Sequence, residues 1–365
     1  MHKSSDIFIG LMSGTSLDGA DAVACRFKDS SVEFLSHAHL PYSVSLRKSL
    51  LSLLKPGEDE INRCGRTGIQ LAHFYAQVVR KLLAQMNLSA DEVNAIGVHG
   101  QTIRHCPESG FTVQLNNPAL LAELTDIDVI ADFRSRDMAA GGEGAPLVPA
   151  FHACIFSATT PRAIVNIGGI ANITLLNGKD VLGFDCGPGN TLMDIWVQKH
   201  CGLFFDENGR WAMKGKVIPE LLDALLTDPY FSRKPPKSTG REYFNENWLI
   251  ERYPLLSDLA PQDVQRTLAR LTAKGILNAI DKTQPQTAEL FVCGGGALNP
   301  LLIEELQDGR YRVSSTARLG VDPMHVESMA FAWLAYRFVN KKAGNLPAVT
   351  RARGERILGA LYPAH

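Results

Sequence analysis

Twice along this chain a short apolar run is cut by a glycine turn and resumes as a second apolar run. The first instance is residues 7–12, the turn Ser13-Gly14-Thr15-Ser16-Leu17-Asp18-Gly19, and residues 20–27. The second is residues 162–166, the turn Ile167-Gly168-Gly169-Ile170, and residues 171–176. Connections this short between two apolar runs predict strand, turn, strand. In both halves helical stretches and further strands follow. A third glycine cluster, Gly294-Gly295-Gly296, closes the strand predicted over 290–293. The pattern is an echo of arrangement rather than a sequence repeat. It predicts two α/β halves of related topology facing one cleft.

The remaining periodicity fills in each half. A third strand is predicted over 32–39, completing a meander, and helices over 45–54 and 61–86. In the second of these helices Ile69, Ala72, Ala76, Val79, Leu82 and Leu83 recur at helical spacing. Strands are predicted over 93–98, ending at His99-Gly100-Gln101-Thr102, and over 111–115 and 128–131. Residues 132–149 lack periodicity and are rich in Arg, Asp and Gly, the character of a long functional loop. In the second half a strand over 181–184 runs into Asp185-Cys186-Gly187-Pro188-Gly189-Asn190, and a helix over 191–200 follows. Residues 204–258 read as an insertion of loops and short helices, and 263–281 as a strong helix. Residues 326–339 are apolar nearly all round, so that helix should be buried on most sides. The expected domains are 1–150, completed by 340–365, and 151–339.

Composition narrows the function. A length of 365 residues corresponds to about two domains. Hydrophobic residues at 45% and charged residues at 21% fit a folded globular chain. The formal net charge of −1 leaves no global basic field, which argues against nucleic acid or a membrane surface as partner. Any anion must be held locally. The seven cysteines are odd in number and none are paired as CxxC, a pattern of reduced thiols in a cytoplasmic protein and not of a zinc site. The apolar run at 7–12 is too short for a signal-peptide core, and no run reaches membrane-spanning length.

The glycine turns carry the chemistry. The chain has no GxxxxGK[ST], GxGxxG, HExxH or GxSxG. Glycine does let backbone N–H groups approach a phosphate closely. The hydroxyls of Ser13, Thr15 and Ser16 add donors, and Asp18 is placed to hold a hydrated Mg²⁺ beside the phosphates. Three such turns, each at a strand end, are more specific than any one.

The run Ile9-Gly-Leu-Met-Ser-Gly-Thr-Ser-Leu-Asp-Gly19 resembles the N-terminal signature of the anhydro-N-acetylmuramic acid kinases, members of the sugar kinase, heat-shock chaperone and actin superfamily. The resemblance continues through Val98-His-Gly-Gln-Thr102, Ala131-Asp-Phe-Arg134, Gly144-Ala-Pro-Leu147, Asn166-Ile-Gly-Gly-Ile-Ala-Asn172 and Phe184-Asp-Cys-Gly-Pro-Gly-Asn190. It extends to Val292-Cys-Gly-Gly-Gly296, Glu327-Ser-Met-Ala-Phe-Ala332 and Leu358-Gly-Ala-Leu-Tyr-Pro363, so it spans essentially the whole chain. One departure is Glu143, where the family pattern has Gln.

The resemblance implies a two-domain, actin-like sugar kinase fold, each domain a mixed sheet flanked by helices, with ATP and sugar meeting in the interdomain cleft. Residues 13–19 then form the first phosphate loop. Gly168, Gly169 and Asn172 belong to the second, and Gly294, Gly295, Gly296 and Asn299 to the adenosine loop. Asp185 falls at the family's catalytic carboxylate. His99, Gln101, Arg134, Arg136 and Glu327 become sugar contacts, with Arg134 and Arg136 pairing to the lactyl carboxylate. The implied cofactors are ATP and Mg²⁺, and the implied assembly is a homodimer. The reaction makes a physical demand: O6 of a 1,6-anhydro sugar is an ether oxygen with no proton for a base to remove. The carboxylate must instead activate water at the anomeric carbon while O6 leaves and takes the phosphoryl group. Alternative readings are a conventional sugar-hydroxyl kinase of the same fold and an actin-like nucleotide switch with no small-molecule substrate.

Overall fold

A computed structural model describes residues 5–14, 17–28, 30–307 and 310–365. The chain divides into two compact units, Met1–Ile155 with His325–His365, and Phe156–Met324. The first unit holds strands β1 (Ile7–Met12), β2 (Gly19–Lys28), β3 (Ser31–Pro41), β4 (Ala95–Val98), β5 (Gln101–Cys106), β6 (Phe111–Leu115) and β7 (Val129–Ala131). Its main sheet runs β3-β2-β1-β4-β7, and the strand Ala360–Tyr362 joins beyond β7. The β1, β2 and β3 strands form the antiparallel meander, while β4 and β7 continue parallel to β1. The run at 111–115 does not join this sheet. It pairs with β5 in a separate two-stranded ribbon, and β5 itself was not foreseen.

Both faces of β1 are covered. Ile7, Ile9 and Leu11 pack with Tyr75, Val78 and Val79 of the helix Glu60–Met86. On the other face lies the helix Val326–Val339, and there two glycines decide the packing. Gly10 on β1 pairs with Gly97 on β4. A Cβ on Gly10 would sit 1.8 Å from the carbonyl oxygen of Ser328, and one on Gly97 would sit 2.1 Å from that of Phe331. The bare strands let the helix backbone rest directly on the sheet. This seat corrects the expected division at 339. The helix is buried on most sides, as its composition predicts, but it belongs to the first unit, whose second segment begins at His325. The other boundary falls at 155 instead of 150.

The second unit holds β8 (Arg162–Ile167), β9 (Ile170–Asn177), β10 (Asp180–Pro188), β11 (Glu289–Cys293) and β12 (Arg312–Ser315). Their order is β10-β9-β8-β11-β12, an antiparallel meander followed by two strands parallel to β8. This is the order of the first unit, third-second-first-fourth-fifth. The echo seen in the sequence is therefore one topology used twice. The helix Pro261–Thr283 lays Val264, Leu268, Leu271 and Ile276 into a core with Val165, Ile173, Leu175 and Phe184. The insertion over 204–258 consists of short helices and turns, as expected, and it is anchored by Asp228. That carboxylate is fully buried and accepts from the Tyr230 amide, the Tyr243 hydroxyl, the Trp248 indole and Arg252 at 2.6–2.9 Å. The carboxyl ends of β1, β4, β7, β8 and β11 lead into the candidate loops, the usual place for ligands on parallel strands.

Candidate active site

In the first unit the β1–β2 turn is held from several sides. The buried Ser13 hydroxyl lies 2.7 Å from that of Tyr75, so it faces the interior and not outward as a phosphate donor would. Thr15 and Ser16 lie outside the described residues. Leu17 adopts a left-handed backbone conformation, φ +56°, which costs about 1 kcal/mol for a residue with a Cβ. Its side chain is buried in the core and its carbonyl accepts from Arg47 Nε at 3.0 Å, which together hold the strain. The carbonyl of Asp18 accepts from the Tyr42 amide at 2.9 Å, while the side chain is exposed. Among the described residues no cluster of three or more His, Cys, Asp or Glu could hold a metal alone. A single exposed carboxylate suits Mg²⁺, which keeps waters and phosphate oxygens as its other ligands.

Beyond β4 the chain turns at Gly100, φ +79°, so His99 follows one strand and Gln101 opens the next. Arg134 donates to His99 Nε2 from Nε (3.1 Å) and Nη2 (2.8 Å), and to the Gly144 carbonyl from Nη1 (2.7 Å). An imidazole nitrogen that accepts carries no proton, so the His99 proton sits on Nδ1. Burial, then the Arg134 charge, hold this histidine well below its ordinary pKa. Burial also lowers Arg134 to about 10, against the carboxylates of Glu327 and Asp137. His99 Nδ1 and Gln101 Oε1 are both buried without a hydrogen-bond partner, one a donor and the other an acceptor. Each could bond a sugar hydroxyl, the first by donating to it and the second by accepting from it. Arg136 is not brought to this group. It is exposed on the short helix Ser135–Ala139, and residues two apart on a helical turn point in different directions.

Asp137 does not lie on the surface of its polar loop. It is fully buried, with Oδ1 accepting from Asn345 Nδ2 (2.6 Å) and Thr350 Oγ1 (2.7 Å) and Oδ2 from the Gly144 amide (2.9 Å). The Glu143 amide donates to the Thr350 carbonyl at 2.7 Å, and its carboxylate pairs with Arg351 at 2.9 Å. The departure at 143 is thus directed to the C-terminal segment. Asp137→Ala would strand three donors, and hydrogen bonds to a charged group contribute about 1.5–3 kcal/mol each. A loss of roughly 5 kcal/mol is expected, seen in urea unfolding as a lower midpoint with unchanged slope. A change under about 1 kcal/mol would contradict the clasp.

In the second unit Asp185 sits on β10 at a bulge, since the register shifts between Asp185 and Gly187. Bulges re-aim side chains next to active sites. Asp185 lies across from Asn172, and Asn172 across from Asn166, so three polar side chains share one face over β8, β9 and β10. Residues of the insertion grip Asp185 three times. Its amide donates to the Lys237 carbonyl at 3.0 Å, its carbonyl accepts from the Tyr230 hydroxyl at 2.7 Å, and Oδ2 accepts from the Thr239 amide at 3.0 Å. Burial lifts this carboxyl to about 7, partly offset by the Thr239 amide, the Ser238 hydroxyl and the nearby Lys237. Asp185 does not cap the helix Thr191–Cys201, whose cap position is Asn190.

The turn at Gly168-Gly169 packs against the start of that helix. The amides of Gly189 and Thr191 donate to the Gly169 carbonyl and that of Asn190 to Gly168, at 2.8–3.1 Å. Arg241 lies beside Gly169, and Asp194, lifted to about 7 by burial, feels its charge. Gly294, φ +75°, has no room for a side chain because a Cβ would fall 2.1 Å from Asn166 Oδ1. Gly295 is open and Gly296 lies against Ile167. Asn299 Oδ1 accepts from the Leu301 amide at 3.1 Å, capping the helix Pro300–Leu306. Tyr230, Lys237, Thr239 and Arg241 were missed in the sequence. Their one visible sign is a dense Lys-Ser-Thr-Gly-Arg string after two prolines, with no motif to mark it.

Comparison with known proteins places the chain in a family. The family model described as anhydro-N-acetylmuramic acid kinase matches residues 6–364. A protein of that name from Burkholderia ambifaria is 52% identical, covering 99% of this chain and 97% of its own. One from Variovorax paradoxus is 51% identical, covering 99% and 100%. Among solved structures, the activator of the 2-hydroxyisocaproyl-CoA dehydratase from Clostridium difficile is 12% identical, with a TM-score of 0.47 over 92% of this chain and 96% of its own.

Proposed function

Since the chain belongs to the anhydro-N-acetylmuramic acid kinase family, we propose that Asp185 is the base of its reaction. The reaction cleaves the 1,6-anhydro ring of 1,6-anhydro-N-acetylmuramic acid and phosphorylates O6, using ATP. The observation that carries the assignment is a carboxylate lifted to about 7 and fixed in one orientation by the Thr239 amide. A base with its pKa near the operating pH is the most effective one. Asp185 takes a proton from water as the water oxygen bonds to the anomeric carbon. The bond from that carbon to O6 breaks, and O6 bonds to the γ-phosphorus as the bond to the bridging oxygen of ADP breaks. The products are N-acetylmuramate 6-phosphate, ADP and one proton held first on Asp185.

The other roles in this reading follow the geometry. His99 Nδ1–H and Gln101 Oε1 each take a sugar hydroxyl, with Arg134 and Glu327 beside them. Arg134, without Arg136, meets the lactyl carboxylate. The turns at Gly14, Gly168-Gly169 and Gly294–Gly296 take the nucleotide. Mg²⁺, when bound, would neutralise phosphate charge, with Asp18 as its protein ligand. The setting is the cytoplasm, in recycling of cell-wall sugar, and the assembly a homodimer. Among the described residues no helix is long and apolar enough to cross a membrane.

The test is a mass spectrum of the product from purified protein, Mg-ATP and the anhydro sugar, run in ¹⁸O-labelled water. The expected product gains one phosphoryl unit and one water, with the label at the anomeric oxygen. A gain of phosphate alone would mean a conventional hydroxyl kinase, and the water-activating role of Asp185 would fall.

A further inference from the structure

Two groups wall Gly169 that no step above uses. A Cβ there would fall 2.8 Å from Thr191 Oγ1, and 2.9 and 3.1 Å from Nη2 and Nε of Arg241. Thr191 is only 4% exposed, and its hydroxyl has no hydrogen-bond partner. Leaving a buried hydroxyl unmatched costs stability, which a protein tolerates where a ligand completes the bond. A hydroxyl and a guanidinium fork, both donors, thus approach the backbone of one residue more closely than any side chain there would allow. That arrangement suits an anion of several oxygens.

We propose that Arg241 and Thr191 bind the oxygens of the phosphoryl group as it passes from ATP to O6, making Arg241 a catalytic residue supplied by the insertion. The inference rests on reading Gly168-Gly169 as a phosphate loop. In phosphoryl transfer the charge spreads over three equatorial oxygens while the attacking and leaving oxygens lie in line. A planar guanidinium matches two of those oxygens at once, which an ammonium does not. Asp194 lies close enough to feel the Arg241 charge. The segment is already ordered by its grip on Asp185, so the fork is in place before the reaction and costs no reorganisation.

The experiment compares binding of ADP alone with binding of ADP plus aluminium fluoride, a mimic of the phosphoryl group in transit, on the full chain. Wild type is expected to bind ADP more tightly with aluminium fluoride. Arg241→Ala should lose that enhancement and about 10²–10³-fold in kcat, with ADP affinity held within about twofold. Arg241→Lys, which keeps charge but not the fork, should recover only part of the enhancement. Thr191→Val should lose about tenfold in kcat without a lower melting temperature, because it removes an unmatched buried hydroxyl. Survival of the full enhancement in Arg241→Ala would overturn the proposal. So would an equal fall in ADP affinity, or a change confined to the KM of the sugar. Absence of any enhancement in wild type would overturn the phosphate-loop reading itself, and this inference with it.

Discussion

Asp185→Asn is expected to lower turnover by at least about 10³-fold, the upper part of the range for a general base, while ATP affinity stays close to wild type. Asparagine keeps the shape and still accepts from the Thr239 amide, so only the ability to take a proton is lost. The wild-type pH profile carries the same information. The base works unprotonated, so kcat/KM should fall as pH drops through about 7, close to tenfold per pH unit on the acid side. Stability should move the other way. A carboxyl raised above its unfolded value is destabilising when charged, a cost absent well below pH 4 and fully present above about 7. At pH 8 the Asn variant should therefore melt no lower than wild type. An inactive variant that also melts early, or loses ATP binding to the same degree, would make Asp185 a structural residue.

Gly10→Val should leave no folded first unit. The new Cβ would have to occupy space 1.8 Å from a helix carbonyl, and a backbone atom cannot rotate away as a side chain does. Separating the helix Val326–Val339 from the sheet would unpack Phe8 from Tyr336, whose rings lie 5.6 Å apart, and expose Met329, Phe331 and Trp333. The expected cost exceeds about 5 kcal/mol, comparable to the whole stability of an ordinary domain. Gly65→Ala supplies the contrast. Gly65 sits in the helix Glu60–Met86 with nothing near its absent Cβ, so that change should stabilise by up to about 1 kcal/mol. Thermal melts by circular dichroism separate the two. A Gly10→Val protein that melts with wild type would refute the seating of the helix.

What was legible in the sequence was what short-range chemistry decides. The two glycine turns forced hairpins between apolar runs, and those hairpins became β1–β2 and β8–β9. The apolar helix over 326–339 was legible as buried, but composition does not say against what. Its partner is a pair of glycines on two strands 87 positions apart, a complementarity visible only in three dimensions. The same limit applies to Arg134 and Arg136. Two residues apart reads as a pair on an extended loop, whereas a single helical turn sends them apart. Asp137 read as one more charge on a polar loop because its three donors come from Gly144 and from positions more than 200 residues later. The Lys237–Arg241 stretch carried no periodicity at all. It gains meaning only from where Asp228 ties its insertion down.

The discontinuity of the first unit also sets the order in which the polypeptide can be completed during synthesis. Asp137 finds Thr350 across 213 positions, and the seat made by Gly10 and Gly97 is filled only when residues 325 onward have been made. The second unit is contiguous and has every strand it needs before then. On the ribosome the half that emerges first is therefore the half that finishes last. Its open sheet face and unclasped loop must be kept from other chains for as long as the entire intervening unit takes to be translated.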